Sequence, residues 1–339
     1  MGTQLRPYQQ TALDELYQWL HDNTGDPCVV MPTGSGKSHI IAHFIETAIS
    51  DYPETRIVIL SHVRELVEND YNKLVHIWPN APAGVYSAGL KRKEVERITF
   101  AGIQSVRKKP EVLRHVNIVM VDEAHMISHK DQGGYRQLIS ALRDINPALR
   151  VVGLTATPWR LGHGRIDEGD AIFDELIEPV SIRELVYGGY LAPLVSRATR
   201  ERYSTDGVHK RGGEYIEKEL QKAVDTADQN AAVAQEIKEL AGDRKAWLLF
   251  CTGVDHAYNM RDQLRELEIP TETVTGKTPM NERDEILDRY KSGEIRAITN
   301  ANVLTTGFDY PDIDLIALLR PTMSPGLYMQ MVGRGFRLK

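Results

Sequence analysis

Three stretches of this chain bring together residue types that could do chemistry. The first is PTGSGKS, residues 32–38, which follows the apolar run PCVVM (27–31) and opens a helix-like stretch. Consecutive backbone N–H groups in such a loop point inward and hold phosphate oxygens at the positive end of a helix. Thr33, Gly34, Ser35 and Gly36 would line the cradle, Lys37 would reach the β and γ phosphates, and Ser38 would ligate Mg²⁺. The strict pattern asks for glycine at position 31, where this chain has Met31. The second stretch is NIVMVDEAH (117–125), an apolar strand pattern that carries Asp122 and Glu123 out of a sheet edge. Asp122 would hold Mg²⁺, directly or through water, and Glu123 would act as general base on an attacking water. An acidic pair after a strand can be a plain surface turn; with Lys37 in place it reads as the second half of a nucleoside triphosphatase. His125 beside it is either a satisfied core histidine or a link from nucleotide state to the second domain. The third stretch is the closing YMQMVGRGFRLK (328–339). It reads as an apolar helix with Gln330, Arg334 and Arg337 at i, i+4 and i+7, hence near one face. Two arginines there are either favourable helix-end charges or partners for a phosphate.

The elements that position these residues follow a rhythm. Beyond the two strands already named, RIVIL (56–60), RITFAG (97–102) and RVVGLTAT (150–157) read as buried strands, with helices over 38–49 and 63–76 between. Strand and helix in alternation predict a parallel sheet covered on both faces. The rhythm breaks from about residue 160 to 223, where LGHGRIDEGD and YSTDGVHKRGGEY read as loops around short helices. It resumes with AWLLFC (246–251), TETVTG (271–276), IRAITNA (295–301) and DLIALLR (314–320), with helices over 254–267 and 281–291. The expected division is a nucleotide-binding domain over 1–180, a connector over 181–225 and a second α/β domain over 226–339. VVMPTG (29–34) and LLFCTG (248–253) echo each other, but only the first continues into Gly-Lys-Ser, so the second half would have lost its phosphate lysine.

Bulk properties agree with this division. A chain of 339 residues exceeds what one ordinary core serves. With 42% hydrophobic and 26% charged residues it has a soluble, globular composition. No apolar run approaches the ~18 residues of a membrane span, and MGTQLRPYQQ lacks the apolar centre of a signal peptide, so no membrane partner is expected. Cys28 and Cys251 both sit in apolar runs, which rules out a four-cysteine zinc site, argues against a disulfide framework and points to a reducing cytoplasm. The net charge of −6 argues against bulk coating of nucleic acid but leaves room for a local basic groove.

On these motifs the chain resembles the superfamily 2 helicases of the DEAD/DEAH-box type over nearly its whole length. LRPYQ (5–9) is similar to their N-terminal nucleotide motif, with Arg6 and Gln9 as nucleotide contacts and Gln9 reading the adenine edge. SHVRELVEN (61–69), FAGIQSV (100–106), GLTATPWR (153–160), TNANVLTTGFDYP (299–311) and QMVGRGFR (330–337) resemble the later motifs in their order. Within the superfamily, LRPYQQ, GLKRKE, VVGLTATPWRLG, LTTGFD, LLRPT and VGRGFRL look most like the bacterial RadD family of DNA-repair ATPases. Two departures stand out: Ala124 replaces the cysteine that family tends to carry, and the cysteine-rich zinc-binding region that follows in that family is missing from this chain. A phage or mobile-element relative, or a truncated chain, stays open.

The resemblance implies two tandem RecA-like domains, each a parallel sheet flanked by helices, with ATP and Mg²⁺ in the cleft between them and no zinc. Gly307 and Asp309 would add nucleotide contacts, and domain closure would bring Arg334 and Arg337, with Gln330, to the γ-phosphate. His62, Arg64, Gln104 and Ser105 in the first domain are candidates for nucleic-acid contacts. Thr252, Gly276, Thr278, Asn300, Asn302 and Thr305 are the candidates in the second. These are mostly small polar groups, suited to gripping a backbone without reading sequence. Lys91, Arg92 and Lys93 are a cationic cluster or a solvated loop; Trp78 and Trp159 are base-stacking platforms or core and hinge residues. The implied activity is that of an ATP-dependent DNA helicase or translocase in repair or recombination, with repair or single-strand-binding proteins as further partners. A motor subunit of a restriction or defence complex, and an RNA helicase, are the alternatives. Because the chain stops two residues after Arg337, a missing C-terminal segment or a mobile finger is expected.

Overall fold

A computed structural model describes residues 4–128, 133–160, 164–169 and 171–338. The chain divides into two compact units, Met1–Gly188 and Gly189–Lys339.

In the first unit, α1 (Pro7–Asp22) begins on a proline, whose fixed φ suits a first helical position and which has no N–H to leave unpaired. There follow β1 (Pro27–Val30), α2 (Lys37–Asp51), β2 (Ile57–Ser61), α3 (Arg64–Ile77), β3 (Ala83–Ser87), β4 (Arg92–Lys93) and β5 (Ile98–Gly102). After α4 (Ile103–Val106) come β6 (Ile118–Asp122), α5 (Gly134–Ile145), β7 (Arg150–Thr155), the short β8 (Trp159–Arg160) and β9 (Gly164–Arg165), β10 (Glu175–Ile177) and α6 (Ile182–Tyr187). Among the described residues the main sheet runs β10-β1-β7-β6-β2-β5-β3-β4, parallel throughout except for the β3–β4 pair. The central strands are buried on both faces, as continuous Val, Ile and Leu runs between helices require. On α5, Tyr135, Leu138, Ile139 and Leu142 form one apolar stripe that joins Val119, Val121 and Val151 in a core. Asp26, buried just before β1, binds the Arg143 guanidinium and accepts from Val151 N at 2.7 Å, so it ties β1, α5 and β7 together.

Because the sheet is parallel, the strands the site depends on end on one edge. Their order there is set by topology: β7 lies between β1 and β6, and β2 and β5 follow on the far side of β6.

The second unit carries the hairpin β11 (Lys210–Arg211) and β12 (Glu214–Tyr215), then α7 (Glu217–Val224), α8 (Ala227–Ala241), β13 (Trp247–Cys251), α9 (Val254–Glu266) and β14 (Thr271–Thr275). It ends with α10 (Met280–Lys291), β15 (Ala297–Ala301), β16 (Leu315–Leu319) and α11 (Pro325–Val332). The sheet order is β14-β15-β13-β16, all parallel. Along β13 the side chains alternate: Trp247, Leu249 and Cys251 pack into one core with α8 and α9, while Leu248 and Phe250 pack into another with Ile286 and Tyr290 of α10. The expected echo has a structural counterpart: β1 reaches α2 through residues 31–36, whereas β13 reaches α9 through 252–253 alone. The second half thus lacks the loop as well as the lysine.

Three expectations need correction. The stretch from about 160 to 223 is more structured than loops around short helices: β8 pairs with β9, and β11 pairs with β12. Residues 161–163 and 170 of LGHGRIDEGD lie outside the described residues. The expected connector, 181–225, contributes α6 to the first unit and β11, β12 and α7 to the second. The closing helix does not run through to Arg337. It stops at Val332, a 3₁₀ turn covers Gly333–Gly335, and Arg337 lies beyond it, so Gln330, Arg334 and Arg337 do not share an α-helical face. Gly333 and Gly335 are poor helix formers. The Arg334 guanidinium, bound to Thr305 O at 2.8 Å and to Phe308 O, holds the turn in place.

Candidate functional site

The phosphate loop begins where β1 ends. Val30 pairs with Thr155 of β7, and Met31 N donates to Thr155 O at 2.9 Å. Gly34 and Gly36 sit at φ 87° and 88°, left-handed backbone that only glycine adopts without strain. They wrap the loop so that Lys37 and Ser38 open α2, whose N-cap, Gly36, supplies no side chain to its first N–H groups. The Ser35 hydroxyl is buried without a hydrogen-bond partner among the described residues. A cradle of uncapped donors and a bare hydroxyl at a helix N-terminus fits a phosphate.

Gln9 is only 5% exposed and is bound within the protein at both ends. Its Nε2 donates to Ser35 O at 2.8 Å, and its Oε1 accepts from Arg6 N at 3.0 Å. Tyr8 Oη donates to the same Ser35 carbonyl at 2.9 Å and accepts from Arg6 Nη1 at 3.3 Å. Gln9 therefore braces the phosphate loop, and a Cβ added at Gly36 would lie 2.5 Å from its Nε2. Sequence reasoning missed Tyr8, whose aromatic ring reads as ordinary core.

Asp122 closes β6, in register with Leu154 of β7, and its Oδ1 accepts from Glu123 N at 2.9 Å. Glu123 adopts φ 52°, unusual for a non-glycine residue and a form of strain found at functional sites. This turn brings Glu123 Oε2 to 3.4 Å from His125 Nδ1. The same nitrogen lies 2.9 Å from Thr155 Oγ1 and 3.2 Å from Thr157 Oγ1. His125 thus joins the acidic pair to Thr155 and Thr157 within the first unit. Burial pushes the His125 imidazole below its ordinary pKa, against the pull of Glu123.

A third acid was missed. Asp70 on α3 is 2% exposed, and neither carboxylate oxygen has a hydrogen-bond partner among the described residues. Burial raises its pKa to about 6; the Ser38 hydroxyl and Lys37 oppose the rise, and Glu123 adds to it. Asp122 is held well above the usual carboxylate range, first by burial and then by the charges of Asp70 and Glu123. The signal lay in the periodicity: Val67, Asp70, Leu74 and Ile77 are the buried stripe of α3, and one of the four is charged.

Further along the same edge, His62 and Arg64 follow β2, and Gln104 and Ser105 follow β5. Burial lowers the His62 pKa against the pull of Glu123. Arg64 packs over Gly89, Gln104 is exposed, and Ser105 Oγ accepts from Ala88 N at 2.9 Å. The basic cluster is smaller than its sequence suggests: Arg92 binds Glu94 and lies over the Tyr71 ring at 4.5 Å, leaving Lys91 and Lys93 exposed. Trp159 is 44% exposed, so a core role does not fit it.

In the second unit the structure corrects two candidates. Thr252 is fully buried and donates through Oγ1 to Leu319 O at 3.1 Å. Asn300 is fully buried and donates through Nδ2 to Leu249 O at 2.9 Å. Both side chains brace the sheet and are not open to a nucleic acid. Gly276 is exposed, while the Thr278 hydroxyl accepts from Thr275 N at 2.9 Å. Asn302, at φ 59°, donates to Glu217 at 3.1 Å and accepts from Arg320. Thr305 is nearly buried, and Gly307 takes φ 75°. Asp309 pairs with Arg337, and Gln330 lies on α11.

Among the described residues, no three acidic, histidine or cysteine side chains converge closely enough to hold a metal ion by themselves. Magnesium held through one hydroxyl, an acid, phosphate oxygens and water needs no such cage. No described helix is long and apolar enough to cross a membrane.

Comparison with known proteins gives two domain matches. Residues 2–160 match the family described as "Type III restriction enzyme, res subunit", and residues 228–339 match "Helicase conserved C-terminal domain". The chain is 26% identical to the Saccharomyces cerevisiae protein described as "Putative ATP-dependent helicase IRC3", over 98% of this chain and 49% of that protein. It is 24% identical to "DNA 3'-5' translocase XPB2" of Sulfurisphaera tokodaii, over 99% of this chain and 79% of that one. The solved structure "ATP-dependent Type ISP restriction-modification enzyme LlaBIII bound to DNA" has a TM-score of 0.68 at 16% identity, over 100% of this chain and 27% of that one. At that identity the likeness is one of fold. The chain spans about half the length of the yeast relative.

Proposed function

We propose that this chain is a superfamily 2 helicase that hydrolyses ATP to move along or remodel DNA. The observation that carries the reading is the convergence, on one sheet edge, of the Lys37–Ser38 loop and the Asp122–Glu123 pair, joined through His125 to Thr155 and Thr157. In this scheme Gly34 to Ser38 hold the triphosphate, and Ser38 and Asp122 hold magnesium. When bound, the metal would neutralise charge on the β and γ phosphate oxygens. Glu123 takes the proton of the attacking water, and His125 holds Glu123 in place. Arg334 and Arg337 stabilise charge on the γ-phosphate, Arg337 exchanging Asp309 for phosphate. His62, Arg64, Gln104 and Ser105 grip the nucleic-acid backbone.

The motif likeness to the RadD family favours a role in repair or recombination. The res-subunit match supports a second reading, a motor subunit of a restriction or defence complex. ATP turnover of the purified chain with single-stranded DNA, duplex DNA, forked DNA and RNA tests the first reading. Stimulation by DNA is expected; stimulation by RNA alone would overturn it.

A further inference from the structure

We propose that Asp70 is a positioning residue for magnesium in the nucleotide site, its carboxylate taking the hydroxyl proton of Ser38 so that the Ser38 oxygen lone pair faces the metal. The inference rests on the nucleotide reading above.

Asp70 occupies a position built for an apolar side chain. Val67, Leu74 and Ile77 share its stripe on α3, and that stripe packs against α2 and the sheet. A carboxylate with two bare oxygens in such a place is unfavourable unless a cation or a donor meets it. No basic side chain lies within ion-pair distance of Asp70 among the described residues. The groups whose fields it feels are Lys37, Ser38 and Glu123, and its own charge acts on Asp122. Asp70 and Asp122 thus raise each other's cost of ionising beside Lys37, a crowding of negative charge that a divalent cation relieves.

The second strand of the argument is the chemistry of a serine ligand. A hydroxyl carries one proton and two lone pairs. If it gives a lone pair to magnesium, its proton must point elsewhere, and groups that ligate a metal are held in orientation by acceptors behind them. Ser38 is the second residue of α2, so its neighbours on the loop side are N–H donors, which cannot take that proton. Asp70 can. Its remaining oxygen is free to accept from a water on the metal. It acts through Ser38 and water and is not itself a ligand.

The test compares affinity for a fluorescent, non-hydrolysable ATP analogue in EDTA and in magnesium, for the full chain and its Asp70→Asn and Asp70→Ala variants. The ratio of the two affinities is the magnesium gain, and the EDTA value reports an intact fold and phosphate loop. Asp70→Ala should keep the EDTA affinity and lose about 10–100-fold of the magnesium gain, the usual effect of removing a group behind a metal ligand. Asp70→Asn, nearly isosteric, should lose part of it, since its amide oxygen still accepts the Ser38 proton. If Asp70→Ala does not fold, Asp70→Asn decides alone. A wild-type magnesium gain in a folded variant, or equal losses with and without the metal, would overturn the role of Asp70. A wild-type chain with no magnesium gain would overturn the nucleotide reading, and this inference with it.

Discussion

The Arg337 guanidinium lies 2.8 Å from Asp309 Oδ1, so the second unit holds its last arginine against an acid seven residues after Asn302. The side chains are 31% and 54% exposed, and an ion pair of that kind contributes no more than about 1 kcal/mol. Loss of this pair by itself should therefore leave the unfolding temperature of Arg337→Ala close to that of the wild type. If Arg337 stabilises transition-state charge, the same substitution should keep ATP binding and lower turnover by about 10³–10⁵. Wild-type turnover in Arg337→Ala would remove it from the reaction.

Glu123 is held by its left-handed backbone, which does not depend on its charge, and lies 3.4 Å from His125 Nδ1. Glu123→Gln keeps the shape and removes the base. Nucleotide affinity should survive, while single-turnover hydrolysis falls by about 10²–10⁴, the usual contribution of a positioned general base. Equal losses of binding and turnover would mean that Glu123 serves the fold of the site and not the proton transfer.

Much of this site was legible in the sequence because its parts are local. The Gly34–Ser38 loop and the Asp122–Glu123 pair each lie within a few residues of a buried strand, and parallel pairing then fixes their common edge. What was not legible depends on distant contacts. Asp70 is a lone acid in an unremarked helix, and only the packing of α3 behind α2 turns it toward Ser38. Thr252 and Asn300 were candidates through the motif resemblance; what removes them is their burial against carbonyls of neighbouring strands, Leu319 and Leu249. The end of α11 at Val332 was masked by the apolar run before it, which hid two glycines three residues or fewer beyond.

Gly153 on β7 shows how tightly the sheet beside the site is packed. A Cβ there would lie 2.6 Å from Phe173 Cζ and 2.8 Å from Cys28 Sγ, closer than real atoms approach. Phe173 and Cys28 are both fully buried and have little room to shift. Gly153→Ala should cost about 1–3 kcal/mol of stability by overpacking, read as a lower urea midpoint. Phe173→Leu in the same chain should restore part of the loss; no recovery would place the strain elsewhere.

His256 makes the second unit sensitive to acid. It is fully buried on α9, its Nδ1 accepts from Thr252 N at 3.3 Å, and its Nε2 has no partner among the described residues. Burial lowers its pKa to about 4 from an ordinary 6.5, with Asp225 opposing. Between those values the unfolded chain binds a proton that the folded chain refuses. Stability from this group is therefore complete above pH 6.5 and is lost as pH falls toward 4, by up to roughly 3 kcal/mol. His256→Gln keeps an acceptor near Thr252 N and removes the titration. Urea unfolding at a series of pH values should show a shallower acid limb in the variant than in the wild type, with the two curves parallel above pH 7. Parallel curves down to pH 4 would mean that the buried imidazole is not what acid attacks.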